Sequence, residues 1–158
     1  MDYQIAGLPL HVLLVHIVVI AVPLTALCMA LTTVWPSAGR RLGLVTPIIA
    51  LLTLIAVPIT TNAGQWLEAR VNITPLIAAH AALGLTMLPW AVAVFIVATL
   101  QWAWFRFGAA RVASRALRLV ATVTLAVVAA IGSVVTVVQI GETGSRAVWT
   151  GLFVETPQ

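Results

Sequence analysis

The chain has 158 residues, 62% of them hydrophobic and 8% charged, against roughly half and a quarter in soluble domains. No Lys occurs, so the formal charge of +4 comes from a few Arg residues, which excludes nucleic-acid binding because that needs a dense basic patch on a soluble face. The length fits one domain, no Pro/Gly/Ser-rich linker divides it, and residues 1–158 read as a single transmembrane domain.

Spanning a hydrocarbon core of about 30 Å takes about 20 helical residues, and uncharged apolar runs of that order occur four times. The first is Leu8 to Leu31. No basic residue precedes it, and it exceeds the about 7–15 residues of a signal-peptide core, so it is read as a retained span. Its Cys28 is the only cysteine and is read as a small apolar packing residue. A connection carrying Arg40 and Arg41 leads to the second run, Leu44 to Thr61, where Pro47 and Pro58 are expected to kink the helix. The third run is Pro75 to Leu100. A connection with Arg106, Arg111, Arg115 and Arg118 leads to the fourth, Leu117 to Ile140. Continuous rather than alternating runs predict helices, hence an all-α, integral membrane four-helix bundle.

The first and third connections hold six of the eight basic residues, and all four acids fall on the other side. Short Arg-bearing loops stay cytoplasmic, which predicts a multi-pass protein of the cytoplasmic membrane with the N-terminus and C-terminus outside. Arg111, Arg115 and Arg118 recur along one helical stripe and are read as membrane-surface contacts to anionic lipid. Trp35, Trp66, Trp102, Trp104 and Trp149 fall near predicted interfaces, where such rings anchor helices. The chain also reads as two helical hairpin repeats in parallel orientation, with Asn62-Ala63-Gly64 after the second span answering Glu142-Thr143-Gly144 after the fourth.

The three histidines, His11, His16 and His80, all fall in the half of the spans predicted to lie outward. By helical rise His16 lies about 12 Å past Leu8 and His80 about 8 Å past Pro75, so their depths match and both are candidate ligands of one metal or haem. His11 and His16 point about 140° apart around one helix, and His11, at the interface near Asp2, is read as structural. The alternative for each is a neutral imidazole donating to a carbonyl on a neighbouring helix. Gly84, four residues after His80, would let a flat macrocycle or another helix approach. Glu142 either closes the histidine pocket as a third metal ligand or is a solvated carboxylate paired with Arg146. Intramembrane carboxylate pairs, CxxC, phosphate loops and nucleophile motifs are missing from the sequence, and a conventional enzyme is not expected.

The segment Gly7-Leu8-Pro9-Leu10-His11-Val12-Leu13-Leu14-Val15-His16 resembles the bacterial four-helix membrane family catalogued as domain of unknown function 2231. His80-Ala81-Ala82-Leu83-Gly84 is similar to that family's His-Ala-x-x-Gly, and Gly141-Glu142-Thr143-Gly144 through Val148-Trp149 to its Gly-His-x-Gly segment ending in Val-Trp. The chain departs from the family at Val12 and Val18, where Pro is usual, and at Glu142, where His is usual. The resemblance implies a bacterial four-helix membrane fold with histidines toward one face and an association with redox domains.

Three functions follow as expectations. The first is a non-enzymatic accessory or structural subunit of a membrane redox or respiratory-chain assembly, with membrane lipid and other membrane subunits as partners. The second is an electron-transport protein holding haem b or a metal through His16 and His80. The third is a small-ion or metal carrier using the histidines and Glu142.

Overall fold

The computed structural model describes residues 3–107 and 115–150. It begins with a two-stranded hairpin, β1 (Gln4–Ile5) and β2 (Leu8–Pro9), whose second strand falls within the first span expected from Leu8. Its turn residues Ala6 and Gly7 have φ of 51° and 80°, the pair of left-handed conformations of a type I′ turn. The Leu10 N–H donates to the Tyr3 carbonyl at 2.8 Å, tying the hairpin to the first turn of α1.

The helices are α1 (Leu10–Val34), α2 (Pro36–Leu42), α3 (Val45–Glu68), α4 (Pro75–Leu85), α5 (Met87–Phe107) and α6 (Arg115–Trp149). Four stretches are long and apolar enough to cross a membrane: α1, α3, α4 with α5, and α6 from Val120. The protein is thus an all-α bundle of four spans. α3 runs past the expected limit at Thr61 because the hydroxyls of Thr60 and Thr61 donate to the carbonyls of Ala56 and Val57, at 2.7 and 3.0 Å. Polarity that suggested a helix end is thereby spent inside the helix. Pro47 falls in the first turn of α3, where its missing N–H costs nothing, and the helix continues through Pro58. Between α4 and α5 the break at Thr86 has a local cause. Pro89 offers no N–H to the Leu85 carbonyl and its ring crowds that carbonyl, while the Thr86 N–H turns back to Leu83 at 3.0 Å.

The spans form a four-sided ring in which α1 packs on α3 and α6, and α5 packs on the same two helices from the opposite corner. The two hairpins bury equivalent positions. Val18, Val22, Thr25, Cys28, Met29 and Thr32 of α1 are answered residue for residue by Met87, Ala91, Val94, Val97, Ala98 and Gln101 of α5. Thr46, Thr53, Val57 and Thr60 of α3 are answered by Ala126, Ser133, Val137 and Ile140 of α6. The parallel repeat, faint in the letters of the sequence, is therefore a property of the packing, because what repeats is the inward face and not residue identity.

At the end of the bundle where α1 finishes and α3 begins, buried Gln101 accepts a hydrogen bond from Thr32 at 3.3 Å and donates to Thr33 at 2.7 Å. Trp102 and Trp104 lie near the end of α5, Trp66 near that of α3, and Trp35 and Trp149 at the ends of α1 and α6. That placement suits interfacial anchoring. Trp90, inside α5, instead covers Gly132 of α6, where a Cβ would overlap its ring. Gly132→Ala is accordingly expected to lower stability by about 1–3 kcal/mol, as overpacking does, measured as an earlier thermal transition in detergent. Trp90→Leu in the same chain should restore it; a full-strength Gly132→Ala protein would show that α6 shifts freely.

Candidate functional site

Both hairpins place a histidine near the start of their first span. His11 is the second residue of α1, following Pro9, and His80 is the sixth of α4, following Pro75. His11 Nδ1 lies 2.9 Å from the carbonyl oxygen of Thr60 in α3, and His80 Nδ1 lies 3.0 Å from that of Ile140 in α6. A carbonyl only accepts, so each Nδ1 is the donor and carries the proton. In the neutral imidazole the lone pair is then left on Nε2 in both rings. Thr60 and Ile140 are equivalent residues of the two hairpins, so both tautomers are fixed by one device used twice.

The returning helices carry a glycine under each ring. A Cβ on Gly64 would come to 2.9 Å from His11 Nδ1, and one on Gly144 to 2.9 Å from His80 Cε1. An interior helical glycine gives up about 1 kcal/mol of helix propensity relative to Ala, and here the space so gained is filled by an imidazole. Gly64 and Gly144 are the repeat-related glycines of the two polar segments, yet the sequence reading gave neither a site role. The pattern that would have found them was the correspondence between those segments.

The two imidazoles stand with centroids 6.0 Å apart and planes at 80°. They belong to the wall of an apolar cavity of about 770 Å³ lined by α1, α3, α4 and α6. Two imidazoles sharing one metal at N–metal distances of about 2.0–2.1 Å have centroids roughly 5–6.5 Å apart, which the observed spacing meets.

The expected pairing of His16 with His80 is corrected by this arrangement: the ring beside His80 is that of His11. His16 is exposed, and its Nδ1 donates to the Val12 carbonyl of its own helix at 2.6 Å. The depth comparison misled because it took the two spans to start level, whereas they are staggered by about one turn, which brings His11 level with His80. His16 still lines the cavity. Glu142 does not. It is exposed and ion-paired with Arg146 one turn along α6 at 2.7 Å, so it closes no pocket. Gly84 lines the cavity, and a Cβ there would meet nothing within 4 Å, so no helix packs on it. Among the described residues no three His, Cys, Asp or Glu side chains gather as a metal-ion group, and the expected set of His16, His80 and Glu142 does not form. The donor set suits a metal that brings most of its own ligands rather than a bare ion in a protein shell.

Glu68, at the end of α3, also reaches the cavity wall. The sequence reading counted it only toward topology. Beside it Arg70 lies over the Trp66 ring, 3.8 Å from its centroid, and donates to the Trp66 carbonyl at 2.9 Å. Tyr3 of the hairpin packs on the same indole, centroids 6.4 Å apart. Of the proposed lipid-facing stripe, Arg111 lies outside the described residues, and Arg115 and Arg118 belong to the first turn of α6 without described side chains. No family model, curated protein or solved structure matches the chain.

Proposed function

We propose that the chain is a non-enzymatic electron-transfer subunit of a membrane redox assembly, holding a metal-centred cofactor of the haem b class through Nε2 of His11 and His80. The observation that carries this reading is the paired tautomer. Two imidazoles of equivalent origin each have Nδ1–H committed to a backbone carbonyl, as metal-ligating histidines do, and both line one apolar cavity. Its volume of about 770 Å³ is in the range of cofactor sites, roughly 300–1,000 Å³, and far larger than a lone ion needs. When bound, such a group would supply one-electron redox chemistry, with His11 and His80 as the residues that would hold it. A visible spectrum of protein purified in mild detergent and supplied with haem b tests the reading.

A second reading, an accessory subunit in which the histidines only pack the bundle, draws on the same bonds, since each imidazole joins the two helices of its own hairpin. A colourless preparation of normal fold would favour it. The resemblance to the bacterial four-helix family supports either reading through its association with redox domains. The third expectation, an ion carrier, loses its support because Glu142 stands apart from the histidines.

In this reading the histidine end faces outward from a bacterial cytoplasmic membrane, a topology supported by Arg40, Arg41 and Arg106 at the opposite end. Single cysteines at Ser37 and Ser114, in chains lacking Cys28, are expected to resist an impermeant thiol reagent in intact cells, and one at Thr156 to react. The reverse pattern would turn the site to the cytoplasm.

A further inference from the structure

The residues lining the cavity include two repeat-related sets on neighbouring helices, one on α1 and α6 and one on α3 and α4, taken as its two lobes. In one, Val12 and His16 of α1 line the wall with Ser145 and Val148 of α6; in the other, the equivalent residues are Ala81 and Leu85 of α4 with Gln65 and Glu68 of α3. The histidine pair and its two glycines are common to both halves, and so are Val57 and Val137. A flat chelate centred on the pair could thus enter in two senses, apart from the positions where the two lobes differ in chemistry. One lobe has a carboxylate, Glu68, which takes part in no ion pair among the described residues. The other has Val148 in its place, with the His16 imidazole and the Ser145 hydroxyl where the first has Leu85 and Gln65.

We infer that Glu68 on one side, and His16 with Ser145 on the other, are orientation-determining residues that direct the carboxylates of a bound metal chelate into the lobe between α1 and α6. This rests on the reading that His11 and His80 would hold it. Two carboxylates beside Glu68 would meet a like charge in a poorly hydrated apolar wall, where screening is weak. In the other lobe the Ser145 hydroxyl can donate to them. His16 Nδ1 is already held by the Val12 carbonyl, which leaves Nε2 directed away from its own helix as a second polar contact.

The test compares haem b with its dimethyl ester, which has the same ring and metal but no carboxylates, by Soret titration of the purified protein. Val148→Glu puts a carboxylate into the proposed lobe and should weaken haem b by about tenfold, the scale of one unit charge acting at close range in a partly dry site. The ester, which also reports folding, should bind as before. Glu68→Gln should leave the ratio of the two affinities unchanged. Tighter haem b binding in Glu68→Gln, with no effect of Val148→Glu, would overturn the inference and leave the histidine site standing. A chain that binds neither compound would overturn the site itself, and this inference with it.

Discussion

Protein supplied with haem b is expected to show a reducible Soret band, and either His11→Ala or His80→Ala should remove it. Six-coordinate binding needs both imidazoles, and no other ligating side chain among the described residues gathers with them to replace one. His16→Ala should keep the band, since that ring bonds within its own helix. The fold should survive each change. Losing His11 removes its bond to Thr60, and losing His80 removes its bond to Ile140 and a longer one of 3.4 Å with Thr143; such bonds between helices are worth about 0.6 kcal/mol on average in a membrane bundle and less than about 2, so the thermal transition should move only slightly. A band retained in both alanine variants would remove His11 and His80 as ligands, and a colourless wild type would leave the pair as a packing device.

Gly64→Ala and Gly144→Ala are expected to weaken cofactor binding by about 10–100-fold each, as loss of support behind a metal-ligating histidine does. The added methyl would stand 2.9 Å from an imidazole atom in each case, closer than side-chain carbons pack, so the ring must turn away from its carbonyl. The same change restores about 1 kcal/mol of helix propensity. Stability should therefore fall little while the site is lost, a split that a Soret titration and a thermal melt on the same sample will resolve. Equal affinity in wild type and both variants would mean that the rings have room to move without leaving their carbonyls.

The spans were legible because lipid leaves a backbone few ways to satisfy its polar groups, so four uncharged runs had to be helices. Their ends were less legible. Thr60 and Thr61 read as a polar boundary, and only the structure shows their hydroxyls returned to the helix. The break at Thr86 was written in Pro89 but masked by the continuous hydropathy from Pro75 to Leu100. The site was legible in its end of the bundle and in His80, whereas its partner depended on helix stagger, which no single-helix rise can supply. Glu142 drew attention through its place in the motif. It lies about 200° around the helix from Gly144, so a glycine that faces the imidazole leaves the carboxylate on the outside. Glu68, which does line the cavity, had no motif to mark it.

The two hairpins run in the same direction, so both histidines come from the same end of the bundle. Below His16, α1 continues for about 27 Å with no further histidine at that depth in any span. A single redox centre held there communicates with one side of the membrane only, taking and giving electrons through a neighbour at the histidine end. Under the proposed function, charge delivered to such a centre would not cross the bilayer by way of this chain, and its transfer would depend little on the membrane potential.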